Sequence, residues 1–195
     1  MDPINLITAI NLFVSMSANW GGAKKGLKTS ITKVIERPVT YLQKTPPNVA
    51  ALVFVLIILG LMKVGVLADV YQKELLLFRI IGLIVFIVFS WIQIYSYKSL
   101  GKSYTQDIVI LKDHKLISIG IYKYLRHPQY ISQILSDLGA GIALLSYLII
   151  PIVLFIQLPL FILRAKEEEK LLEKYFKKDF SEYKKKSGFF IPFIG

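Results

Sequence analysis

The chain has 195 residues and is 54% hydrophobic, with 24 Lys and Arg against 13 acids for a net charge of +11. It contains no cysteine and only two histidines, His114 and His127, which excludes disulfides, thiolate nucleophiles and cysteine-rich zinc sites and leaves no metal site to expect. The apolar residues fall in long runs, so the charge reads as cytoplasmic loops facing anionic lipid rather than as a nucleic-acid surface, and residues 1–195 are expected to form one membrane domain.

Residues 4–20 form the first apolar stretch, short and interrupted by Asn5, Asn11 and Asn19. No basic region precedes it, so no cleavable signal peptide is expected. Residues 21–48 are polar and basic and end in Thr45-Pro46-Pro47-Asn48, a loop followed by a helix start. Residues 49–68 are apolar except for Lys63, and 75–97 form a strong span with Trp91, Tyr95 and Tyr97 toward one end, where aromatics suit an interface. Each is about 20 residues, enough for ~30 Å of hydrocarbon. A short polar turn at 69–74 joins them. After a mixed segment at 98–128, residues 129–163 are almost wholly apolar. As one helix they would reach roughly 52 Å, so a hairpin turning near residues 146–151 is expected. Residues 164–186 are charged with helical periodicity, and the apolar end, Phe189 to Ile194, packs back or touches lipid.

The expected fold is therefore all-α and polytopic, with about five transmembrane helices, the last two a hairpin, and a C-terminal cytoplasmic helix. Five spans put segments 21–48, 98–128 and 164–195 on one side, with 21 of the 24 Lys and Arg. The positive-inside rule makes that side cytoplasmic and the N-terminus external.

Three groups of residues carry the chemistry. Ser136-Asp137-Leu138-Gly139-Ala140-Gly141 looks like a nucleotide-binding glycine loop, but it lacks the preceding strand such a loop needs. Its small residues read instead as a close helix contact. Asp137 is an acid within a span, and either faces a cavity or lies shallow at the cytoplasmic end. Residues 120–130 interleave bases and tyrosines around His127-Pro128. They read as a juxtamembrane belt or as the mouth of a site, where outward amides at a helix start receive an anion. Arg164 and Glu168 are four apart on one helical face: an ion pair worth a few tenths of a kcal/mol, or a cation and an anion that grip a ligand. A hairpin returns the chain to its starting side, which brings 126–130 close to 164–168.

Together these residues resemble the isoprenylcysteine carboxyl methyltransferase family and its phospholipid-methyltransferase relatives, as a short member of prokaryotic type. The resemblance rests on Gly120, Tyr122, Arg126, His127, Pro128 and Tyr130, then Arg164, Glu168, Glu169 and Leu172, then Phe176, Phe180, Tyr183 and Ile191-Pro192. Upstream, His114-Lys115-Leu116-Ile117 matches a further family segment. The likeness covers about residues 101–194, and residues 1–100 match only as generic membrane helices. It implies a cofactor-binding and catalytic region in 101–195 that uses S-adenosylmethionine. The cofactor would contact His114, Lys115, Leu116, Ile117, Tyr122, His127, Pro128, Gln129, Tyr130 and Glu168. Arg164 would act in catalysis by binding the carboxylate of a lipid-like or prenylated acceptor. The family usually has glycine where this chain has Lys177, and often Pro-Arg where it has Phe189-Phe190. The alternatives are N-methylation of a phospholipid amine and a non-enzymatic membrane protein.

Overall fold

The computed structural model describes residues 2–32 and 34–195, with side chains outside 19–33 and 102. Seven helices carry the architecture: α1 (Pro3–Thr32), α2 (Thr45–Leu61), α3 (Asp69–Glu74), α4 (Leu76–Leu100), α5 (Pro128–Ala143), α6 (Ile149–Phe176) and α7 (Lys178–Lys186). Strands β1 (Val34–Glu36) and β2 (Ile110–Leu111) pair antiparallel.

Among the described residues, three helical stretches are long and apolar enough to cross a membrane: Tyr41–Leu61, Leu76–Leu100 and Ile149–Phe176. Two of the five expected spans are shorter. The apolar part of α1 is Pro3–Ala18. Helix α5 has 16 residues, about 24 Å of rise against ~30 Å of hydrocarbon. Two further boundaries differ from the sequence reading. Helix α1 runs on to Thr32, through the start of the expected loop; that stretch has no proline to stop it before Pro38. The expected turn at 69–74 is the short helix α3.

The hairpin turns where expected: α5 ends at Ala143 and α6 begins at Ile149. Its seam with α4 is built on glycine. A Cβ on Gly139 would lie 2.5 Å from the Phe86 amide nitrogen, and one on Gly82 would lie 2.6 Å from that of Ala143. Only hydrogen fits at either position, so the backbones of α4 and α5 touch. Val53, Ile57, Phe86, Ile134, Ile149 and Phe161 then fill the core between the helices. In α6, Val153–Gln157 is a π-helical segment just ahead of Pro159. Proline supplies no N–H and crowds the preceding turn, and the wider turn here carries the buried Gln157.

Hydrogen bonds sort the helix ends into two groups. At one end, Arg79 donates to both carboxylate oxygens of Asp2, at 2.8 and 3.0 Å, and to the Ala143 carbonyl at 3.0 Å. The Arg79 guanidinium holds the Asp2 carboxyl below its usual range. The Leu67 amide donates to the Leu145 carbonyl at 3.0 Å, and Ser146 Oγ donates to the Gly65 carbonyl at 2.9 Å. The start of α1 and both of these turns therefore share one end. The β1–β2 ribbon, residues 101–127 and the charged half of α6 with α7 gather at the other.

Candidate active site

At the basic end lies a cavity of about 620 Å³. Its walls come from five places: the Gln43–Asn48 corner, the last turns of α4, the 103–117 loop, the Tyr122–Tyr130 segment, and the facing stretch of α6 with α7. Of the expected site residues, His114, Lys115, Leu116, Ile117, Tyr122, His127, Gln129, Tyr130, Arg164 and Glu168 all line it. Pro128 does not; it is buried at the start of α5, where its fixed φ suits the first turn.

Arg164 and Glu168 do not pair directly. Tyr130 stands between them: its hydroxyl accepts from Arg164 Nε at 3.0 Å and donates to Glu168 Oε2 at 2.9 Å. The rest of the guanidinium ties distant segments together. Nη1 donates to the carbonyls of Leu42, at 2.6 Å, and Gln43, at 3.1 Å, and Nη2 donates to that of Gln106. Of the five N–H groups of an arginine, one remains for a ligand. Arg164 is 4% exposed, and its charge sits at the cavity wall beside the half-buried Glu168.

Arg126, itself in the cavity lining, pairs with Glu169. Arg126 Nε donates to Glu169 Oε1 at 2.6 Å, and Nη1 bonds the Ser187 carbonyl. His127 Nε2 lies 3.1 Å from the same Glu169 oxygen. The His127 ring stacks parallel to Tyr130, with centroids 5.7 Å apart, and Phe189 packs its edge at 5.1 Å. The expected packing-back of the C-terminal residues is thus seen at Phe189, while Ile191, Phe193 and Ile194 stay exposed.

Burial favours the neutral form of several groups in the lining. Burial pushes the His114 pKa down, with the nearby Glu168 charge opposing, and pushes the phenols of Tyr104 and Tyr122 up. Burial also carries Tyr183 to about 12, and its hydroxyl donates to the Tyr122 carbonyl at 2.6 Å. Glu168 therefore faces the phenols of Tyr122 and Tyr130 and lies near the fixed charge of Arg164.

The sequence reading missed the N-terminal contribution. Gln43 donates to the Ile108 carbonyl at 2.9 Å and accepts from the Ile108 amide at 2.9 Å, which pins the 103–117 loop to the corner before α2. A lone glutamine in a polar stretch carries no signal for this, because the pairing spans 65 residues.

The isoprenylcysteine carboxyl methyltransferase (ICMT) family model matches residues 80–174. Over that stretch the chain is similar to the isoprenylcysteine carboxyl methyltransferase family. Protein-S-isoprenylcysteine O-methyltransferase of Saccharomyces cerevisiae is 30% identical over 126 residues, 64% of this chain and 53% of that protein. The Tribolium castaneum protein of the same name is 33% identical over 82 residues, 42% of this chain and 29% of that one. The probable protein-S-isoprenylcysteine O-methyltransferase of Oryza sativa subsp. indica is 29% identical over 124 residues, 63% and 65%. The matches thus span between 29% and 65% of these relatives' lengths. The solved structure of the eukaryotic intramembrane Ras methyltransferase ICMT superposes on all of this chain and 69% of its own, with a TM-score of 0.64 at 20% identity, which establishes a shared fold. The stretch matched by the family model contains His114, the 120–130 segment, Arg164 and Glu168.

Proposed function

We propose that this chain is a membrane-embedded, S-adenosylmethionine-dependent methyltransferase that methylates the carboxylate of an isoprenylcysteine or similar lipid-like acceptor. The observation that carries the reading is the convergence, in one cavity, of the 114–130 residues with Glu168 and Arg164 across the hairpin. A volume of about 620 Å³ is in the range of small-molecule sites. The lining fits the cofactor: Glu168 offers acceptor oxygens for its hydroxyl or ammonium groups, and Tyr122 and Tyr130 offer ring surface.

When bound, S-adenosylmethionine supplies a methyl group activated by a cationic sulfur. A carboxylate at neutral pH is already nucleophilic, so no protein base is required. The chain's residues then have three tasks. Glu168, held by Tyr130, fixes the cofactor side. Arg164 steers the acceptor carboxylate with its charge and one free N–H. The 103–117 loop, pinned by Gln43 and Arg164, keeps water out, so that donor and acceptor meet at near-attack distance.

In this reading five helices cross the membrane, with α1 and α5 as the short members. On the same reading the cavity opens to the cytoplasm for the polar cofactor and takes a lipid acceptor in past Phe161, Gln93 and Gln133 of its lining. Binding of labelled S-adenosylmethionine to detergent-purified protein tests the pocket. Wild type should bind, and Glu168→Ala should weaken binding about tenfold, the loss of one charged hydrogen bond. Wild-type affinity in Glu168→Ala, His127→Ala and Tyr130→Phe alike would show that the pocket is misassigned.

A further inference from the structure

A second cavity, of about 200 Å³, lies deeper among the helices and shares Ala50, Gln93 and Gln133 with the first as lining. Its apolar walls come from α1, α2 and α4, through Met16, Phe54 and Phe86. One face is polar. Gln93 Nε2 donates to Gln133 Oε1, Gln133 Nε2 donates to Asp137 Oδ2 at 2.8 Å, and Gln157 Nε2 donates to the same oxygen at 2.7 Å. A chain of amides therefore leads from the active cavity to a buried carboxyl.

Among the described residues, Gln157 Oε1 of that chain is buried without a partner, and two groups that line the cavity also lack one. Both amides converge on Oδ2, and Asp137 Oδ1 receives no hydrogen bond. Ser136 Oγ, which lines the cavity, likewise has no hydrogen bond among the described residues; its residue is 3% exposed and Asp137 is 5% exposed. The other two serines of the lining differ. Ser15 Oγ donates to the Leu12 carbonyl at 3.1 Å, and Ser90 Oγ donates to that of Ile87 at 2.9 Å. Polar atoms facing hydrocarbon without a partner cost several kcal/mol, so a purely hydrocarbon occupant is a poor match for this face.

We propose that the second cavity seats a hydroxyl group carried on the acceptor's lipid chain. A hydroxyl donates one hydrogen bond and accepts others, so it serves both open groups, donating to Asp137 Oδ1 and accepting from Ser136 Oγ. A cation at this depth would be far costlier to desolvate. The spacing sets the register. Tyr130, Gln133 and Ser136 recur at three-residue intervals on α5, and six residues of helix rise about 9 Å. The acceptor class is therefore a carboxylated lipid with a hydroxyl roughly 10 Å along its chain. This inference rests on the carboxyl-methylating reading above and narrows its substrate.

The test is equilibrium binding by the full chain in detergent of two probes: S-farnesylcysteine, and the same molecule hydroxylated on the chain about 10 Å from the carboxylate. Wild type should bind the hydroxylated probe roughly tenfold more tightly, the effect of a hydrogen bond to a charged group. In Ser136→Ala, and in Asp137→Asn, the ratio should fall toward one. S-adenosylmethionine binding on each preparation reports that the variant is folded. Equal binding of both probes by wild type, no binding of either, or an undiminished preference in Ser136→Ala would each overturn the proposal and leave water as the occupant. Because the readout needs no methyl transfer, its failure is separable from failure of the methyltransferase reading, which would appear as loss of S-adenosylmethionine binding in wild type.

Discussion

Arg164 ties several separate segments of the molecule together at the cavity. Its guanidinium joins the corner before α2, the 103–117 loop and Tyr130 to α6. Lysine keeps the charge but has one nitrogen and no planar fork, so it cannot reach three carbonyls and a phenol together. Arg164→Lys should leave the hairpin folded and S-adenosylmethionine bound, yet lower turnover by about 100-fold, the scale expected when reacting groups are misplaced by ~1 Å. Turnover and cofactor affinity measured on one preparation check this; near-normal turnover would show that the clamp does not matter. The sequence made Arg164 and Glu168 visible through their spacing on one helical face. It hid Tyr130 as the link between them, because that bond depends on the hairpin's register and not on any local pattern.

Lys177 illustrates what an element demands of one residue. It separates α6 from α7 at φ 46° and ψ −113°, a conformation that suits glycine and strains an L residue by roughly 1–2 kcal/mol. The family's usual glycine at this position now has a physical reason: the chain must reverse here so that Phe180 and Tyr183 of α7 reach the cavity. Lys177→Gly should therefore raise the midpoint of thermal unfolding, in contrast to the usual cost of a glycine within a helix. A lowered midpoint would show that the strain is absent. Element boundaries were less legible than element existence. The hairpin followed from an apolar run too long for one span, and a close helix contact followed from Gly139 and its small neighbours, though not that α4 is the partner. The length of α1 did not, because its apolar part ends well before its helical backbone does.

At the scale of the whole molecule, the two groups of helix ends agree with the charge pattern. The three basic segments share one end, and the start of α1 with the Gly65 and Ser146 turns shares the other. Tags at the C-terminus and within residues 21–48 should both report the cytoplasm, and tags within 69–74 the opposite side. Finding 69–74 on the side of the C-terminus would contradict the five-span layout. How the two cavities connect was invisible in the sequence, since Gln93, Gln133 and Gln157 lie on three different helices and only Asp137 stood out. The most direct test of the central claim is methyl transfer itself. Purified chain is incubated with methyl-labelled S-adenosylmethionine and a prenylated cysteine, beside phosphatidylethanolamine as an amine acceptor. The account predicts a base-labile methyl ester on the prenylated cysteine that is formed by wild type and strongly reduced in Glu168→Ala. Label appearing only on the phospholipid amine, or on neither acceptor while the cofactor binds, would contradict it.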